Sequence, residues 1–108
     1  MILNPKRFDV ILTKNLFGDV ISNKASVICG SIGLLSSASI GDHHAMFEPI
    51  QGWYPDGAGK NIANPITSIL NAAMLLDHFD LPNEAELIKT AVNRSLELAI
   101  ATPDLNDS

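Results

Sequence analysis

Cysteine is almost missing from this sequence: Cys29 stands alone, so no internal disulfide can form, which argues against a disulfide-framed secreted domain. Its apolar neighbours Val27 and Ile28 point to a small buried hydrophobe rather than a nucleophile. Positive charge is scarce as well. Seven Lys and Arg stand against twelve Asp and Glu, a net charge of -5, and beyond Lys6 and Arg7 the cations are scattered. Binding to a phosphate backbone needs clustered cations, so nucleic acid is not an expected partner. Long apolar runs are also lacking. The longest, around Ile69 to Leu76, is interrupted by Asn71 and falls far short of the roughly 18–20 residues of a membrane span. Residues Met1 to Arg7 lack the layout of a signal peptide. A soluble, cytoplasmic protein with no membrane partner is expected.

What the chain does contain is the composition of one small globular unit, 46% hydrophobic and 18% charged over 108 residues. A domain of this size buries only roughly two-thirds of its unfolded surface, so an apolar face left without a partner is costly.

Phe8 to Thr13 (FDVILT) is a short β-rich apolar run and reads as a buried strand. From Leu16 to Cys29 the spacing becomes helical: Leu16, Val20, Ile21, Ala25, Val27 and Ile28 share one side, and Gly30 is a natural stop. The small-residue stretch Gly30 to Gly41 reads as a loop that becomes extended, and Ala45 to Ile50 as a strand whose Pro49 marks an end or an edge. Gln51 to Pro65 is a long Gly- and Pro-rich loop, a length that in compact domains is usually functional or disordered. Two helices close the chain. The first has Asn64 at its cap and Pro65 at its first position, with Ile66, Ile69, Leu70, Ala73, Met74 and Leu76 apolar. The second is expected to open on Asn83 with Glu86 three residues later, a capping-box arrangement, with Leu87, Ile88, Ala91, Val92, Leu96 and Ile100 as its apolar face. This order closes no βαβ unit and suggests a piece of an α/β protein.

Two constellations could carry chemistry. Asp19 and Asn23 are one helical turn apart, roughly 5–6 Å at Cβ, and offer oxygen ligands of the kind Mg²⁺ or Mn²⁺ prefers. Spacing alone leaves open that Asp19 merely complements the helix dipole. In the loop, small residues permit close approach to backbone, Asp56 could accept from ribose hydroxyls and would repel a 2′-phosphate, and Asn64 could meet an adenine edge. The loop has no GxGxxG fingerprint, so an ordinary turn-rich loop stays open too. His43 and His44, adjacent along an extended chain, would point to opposite faces and not share a metal. His78 closes a helix. Trp53 and Tyr54 could cover an apolar patch or stack on a ligand.

At these constellations the sequence resembles a known family. Asn15 to Leu34 (NLFGDVISNKASVICGSIGL), Phe47-Glu48-Pro49-Ile50 and Gly59-Lys60-Asn61-Ile62-Ala63-Asn64-Pro65 look like motifs of the metal-dependent β-decarboxylating dehydrogenases, most closely the isopropylmalate branch. The resemblance covers nearly the whole chain. It implies an α/β fold class: a C-terminal fragment of a two-domain dehydrogenase, a few strands with three main helices. Residues 1–29 would end the central dimer-forming, substrate domain and 30–108 would return to the NAD-binding domain. The implied reaction is oxidative decarboxylation of 3-isopropylmalate in leucine biosynthesis, with NAD and Mg²⁺ or Mn²⁺, by a homodimer. Asp19 and Asn23 would fall at metal-ligand positions, and Gly33, Glu48, Gln51, Gly52, Asp56 and Asn64 would line the NAD site. Three departures weaken the match: Asn23 stands where the family generally has a second Asp, Gln51 where it has His, and Ser36 where it has Pro. The family's substrate arginines, a further metal-ligand Asp, and its catalytic Tyr and Lys would all precede Met1. The resemblance therefore implies no catalytic residue within this chain and no turnover by it alone. The alternative is a non-catalytic remnant that only folds or self-associates.

Overall fold

A computed structural model describes residues 3–30, 34–50 and 52–106. Helix α1 spans Asn15–Cys29, strands β1 and β2 span Ser36–Ile40 and Ala45–Pro49, and helices α2 and α3 span Ile66–His78 and Pro82–Glu97. A last short helix, α4, covers Pro103–Asn106, and three-residue 3₁₀ turns lie at Pro5–Arg7 and Pro55–Gly57. The α/β class and the three main helices are as expected.

Helix α1 begins and ends where its spacing indicates. Gly30 adopts φ 91°, and its N–H returns to the Ser26 carbonyl, a left-handed stop that suits glycine. The strands form an antiparallel hairpin with Ser36 opposite Pro49 and Ile40 opposite Ala45. Backbone bonds from Gly41 to His44 and from Ile50 to Leu35 set the alternation. Pro49 therefore falls at a non-bonded pair, where its missing N–H costs no ladder bond. His43 and His44 belong to the exposed connection between the strands rather than to a strand.

Helix α2 is the hub, packing against α3 and both strands. Alternate residues Ala45, Phe47 and Pro49 are partly buried, with the Phe47 ring 5.6 Å from that of His78. Ile66, Ala73, Ala85 and Val92 form the buried apolar core, the two alanines at 0% exposure. Asn71, also buried, accepts the Ser37 N–H at 3.2 Å and ties α2 to β1; its own amide N–H₂ group has no partner among the described residues. Because Ala73 is wholly buried at the packed centre of α2, Ala73→Leu is expected to destabilise the chain by about 1–3 kcal/mol, read as a shift in the urea midpoint. An unchanged midpoint would mean that α2 is not the packed centre.

Three local expectations are corrected, the last being the apolar side of α3, where Val92 is buried but Leu87 is 71% exposed and Ile100, 64% exposed, lies past the helix end at Glu97. Phe8 to Thr13 forms no strand. A strand exists only through pairing, and none of the described segments pairs with this one; Val10 and Leu12 are exposed instead. The second concerns the start of α3. It begins at Pro82, Leu81 occupies the cap position, and no side chain caps it. Asp80 takes φ 57° to end α2, and the Leu81 N–H bonds back to the Leu76 carbonyl. With the turn closed there, Pro82 supplies the fixed φ of a first helical residue and Asn83 is already inside the helix. The Lys89–Asp77 pair, 2.8 Å and exposed, spans α2 and α3. The Asp77 carboxylate, hydrogen-bonded to the Lys89 ammonium, holds its pKa above the usual lysine value.

Much apolar surface stays uncovered. Leu16 and Val27 on α1 are 70% and 67% exposed, and Phe8, Val10, Ile11 and Leu12 line an open hollow of about 720 Å³ beside Ile21. Among the described residues, α1 has no packing on the hairpin or on α2 and α3 comparable to theirs on each other. The expected burial of Cys29 concerns a side chain outside the described set.

Candidate functional site

Asp19 and Asn23 both lie on α1, exposed and one turn apart. The Asn23 backbone carbonyl accepts the Ser26 hydroxyl at 2.6 Å, so its side-chain oxygen is not spent on that bond. A carboxylate and an amide oxygen are the donor chemistry that a hard divalent cation takes. They are an incomplete set: no group of three His, Cys, Asp or Glu side chains able to hold a metal exists among the described residues.

The nucleotide candidates are distributed along the chain from β2 to the start of α2. Glu48 is exposed on β2, alternating with the Phe47 face that meets α2. Gly52 is exposed, and a Cβ built on it would meet nothing within 4 Å. Asp56 is presented by the 3₁₀ turn Pro55–Gly57, with its carboxylate toward solvent. That turn has a packed underside: Gly57 is buried, and a Cβ there would come within 2.6 Å of the Tyr54 ring. Tyr54 thus lies over Gly57, while Trp53 is exposed. Gly59 has φ 76° and open space on its Cβ side. Backbone left open at Gly52 and Gly59, around a solvent-facing carboxylate, fits the close approach a dinucleotide requires. Gly33 and Gln51 lie outside the described residues.

Asn64 is different in kind. It is buried, and both ends of its amide are engaged: Oδ1 accepts the Ile66 N–H at 3.0 Å, and Nδ2 donates to Asp104 Oδ2 at 3.0 Å. The first bond makes Asn64 the true cap of α2, with Pro65 (φ -85°, ψ -8°) already helical. The second brings in a residue that sequence reading missed. Asp104 is the second residue of α4, after Pro103, and the Thr102 hydroxyl donates to its other carboxylate oxygen. The Thr-Pro-Asp run is a recognisable helix-start signal, but its pairing with Asn64 crosses 40 positions. Beside them an apolar groove of about 480 Å³ runs between α2 and α3, walled by Ile66, Ile69, Ile88 and Val92.

The model of the isocitrate/isopropylmalate dehydrogenase family matches residues 1–108, and the chain belongs to that family. It is 50% identical over 105 residues to the 3-isopropylmalate dehydrogenase of Bacteroides fragilis, covering 97% of this chain and 30% of that protein. The homoisocitrate dehydrogenase of Methanocaldococcus jannaschii is also 50% identical over 105 residues, with the same coverage of both chains. Among solved structures, isocitrate dehydrogenase from Methylococcus capsulatus superposes with a TM-score of 0.92 at 43% identity, over 100% of this chain and 32% of that one. The β-decarboxylating dehydrogenase from Thermococcus kodakarensis does so at 0.76 and 49% identity, over 88% and 28%. The chain thus spans about 30% of the length of the curated relatives it matches. No helix among the described residues is long and apolar enough to cross a membrane.

Proposed function

We propose that this chain is the C-terminal part of an NAD-dependent 3-isopropylmalate dehydrogenase of leucine biosynthesis, contributing metal and cofactor contacts but not the catalytic Tyr and Lys of the family. Residues 1–29 close the central, dimer-forming domain and 30–108 return to the NAD-binding domain of a cytoplasmic homodimer. The observation that carries the reading is Asp56, a solvent-facing carboxylate set between open glycines in a chain that matches the family from end to end. An acid in that place suits the free ribose hydroxyls of NAD and opposes the 2′-phosphate of NADP. Glu48 and Gly52 line the same site, Asn64 borders it as the cap of α2, and the family resemblance assigns Gly33 and Gln51 to it as well. Asp19 and Asn23 would supply part of the coordination of a divalent cation, and such a cation would provide polarisation of a substrate hydroxyl or carbonyl oxygen. The chain's own residues orient cofactor and metal; the acid and base of the reaction belong to the rest of a longer protein.

The substrate assignment follows the relatives, most of the most similar of which are 3-isopropylmalate dehydrogenases. Titration of the chain with 5′-AMP and 2′,5′-ADP, followed by NMR, tests the nucleotide reading. Preference for 5′-AMP supports it, and failure to bind either removes it. A second reading, a non-catalytic module that self-associates, is favoured by the exposed apolar side of α1. It requires sedimentation as a stable oligomer together with absence of nucleotide binding.

A further inference from the structure

Asn64 has one acceptor and one donor group, and their assignment is forced by its surroundings. The Ile66 N–H can only donate, so it must face Oδ1. An ionised Asp104 carboxylate can only accept, so it must face Nδ2. Turning the amide over would set donor against donor at Ile66 and oxygen against oxygen at Asp104. The carboxylate is itself held: Thr102 donates to its other oxygen, and the Leu105 N–H bonds to the Thr102 carbonyl at 3.0 Å, closing the turn. A charge-assisted bond donated by the amide to a held carboxylate is stronger than a neutral one and leaves the amide one orientation.

We propose that Asp104 is a positioning residue for the adenosine end of the nucleotide site: its carboxylate locks Asn64, and through it the junction between the glycine loop and α2. This inference rests on the nucleotide reading of that loop. The loop from Gly59 to Asn64 has no regular secondary structure to hold it. Its end is fixed instead by the cap on Ile66 and by the C-terminal turn. Asp104 touches no ligand in this scheme; it decides whether the backbone that does is in place.

The test is NMR titration of the 108-residue chain with 5′-AMP and, separately, nicotinamide mononucleotide. Asp104→Ala is expected to weaken 5′-AMP binding about tenfold, leave nicotinamide mononucleotide binding unchanged, and speed hydrogen exchange at the Ile66 amide. Asp104→Asn keeps an acceptor oxygen and should fall between Asp104→Ala and the unaltered chain. Equal 5′-AMP affinity in the alanine variant would overturn the proposal, as would a proportional loss of both ligands, which marks general destabilisation. Absence of 5′-AMP binding by the unaltered chain would remove the nucleotide reading itself, and this inference with it.

Discussion

Asp56→Asn is expected to weaken 5′-AMP binding about tenfold and to bring 2′,5′-ADP level with it. The carboxylate and the amide have nearly the same shape, so the 3₁₀ turn Pro55–Gly57 and the Tyr54 ring over Gly57 should be undisturbed. What changes is charge. A carboxylate accepting from ribose hydroxyls makes bonds to a charged group, each of about 1.5–3 kcal/mol, and an amide oxygen makes the weaker neutral kind. Toward a 2′-phosphate the sign reverses: two negative groups a few ångströms apart in partly solvated surroundings repel by about 1–4 kcal/mol, and the substitution removes that cost. The check is the ratio of the two dissociation constants. A ratio that does not move would place Asp56 away from the adenosine ribose.

The second large effect is expected at Asn23. Restoring a carboxylate with Asn23→Asp adds a negative charge one turn from Asp19 on an exposed helix face. A second anionic oxygen within reach of a divalent cation contributes about 1–2 kcal/mol near a surface, so Mn²⁺ affinity should rise about tenfold. Water-proton relaxation in a Mn²⁺ titration reads this directly. Without cation, the two carboxylates repel at a spacing of one turn, and the variant should be slightly less stable until metal is added. The variant should still form no NADH from 3-isopropylmalate, because a stronger metal site supplies no general acid or base. Mn²⁺ affinity that stays flat would show that Asp19 and Asn23 do not act on one ion.

The helices were legible in the sequence because their determinants are local. The 3.6-residue spacing of α1 and α2, Gly30 at the end of the first and Asn64-Pro65 at the head of the second each act within a few positions. β2 was legible for the same reason. What escaped depends on partners elsewhere. Phe8 to Thr13 has strand composition but nothing among the described residues to pair with. The start of α3 turned on the left-handed Asp80, which made Pro82 rather than Asn83 the opening residue. In the site, Asp19, Asn23, Glu48, Gly52 and Asp56 all prove accessible. Asn64 was legible as a cap, but the engagement of both ends of its amide, one of them by Asp104 rather than by the adenine edge expected for it, was not, because no local pattern joins residues so far apart in sequence. The apolar side of α1 shows a further limit: periodicity groups its residues on one side, and among the described residues Leu16, Val20, Val27 and Ile28 on that side stay exposed.

The central claim is that these residues are one portion of a divided pocket. It is tested most directly by NADH absorbance with 3-isopropylmalate, NAD and Mg²⁺, measured on the chain alone and on the chain fused behind the part of the Bacteroides fragilis enzyme that it does not match. The account predicts no NADH from the chain alone and metal-dependent NADH from the fusion. Turnover by the isolated chain, or a folded fusion that forms none, would contradict it.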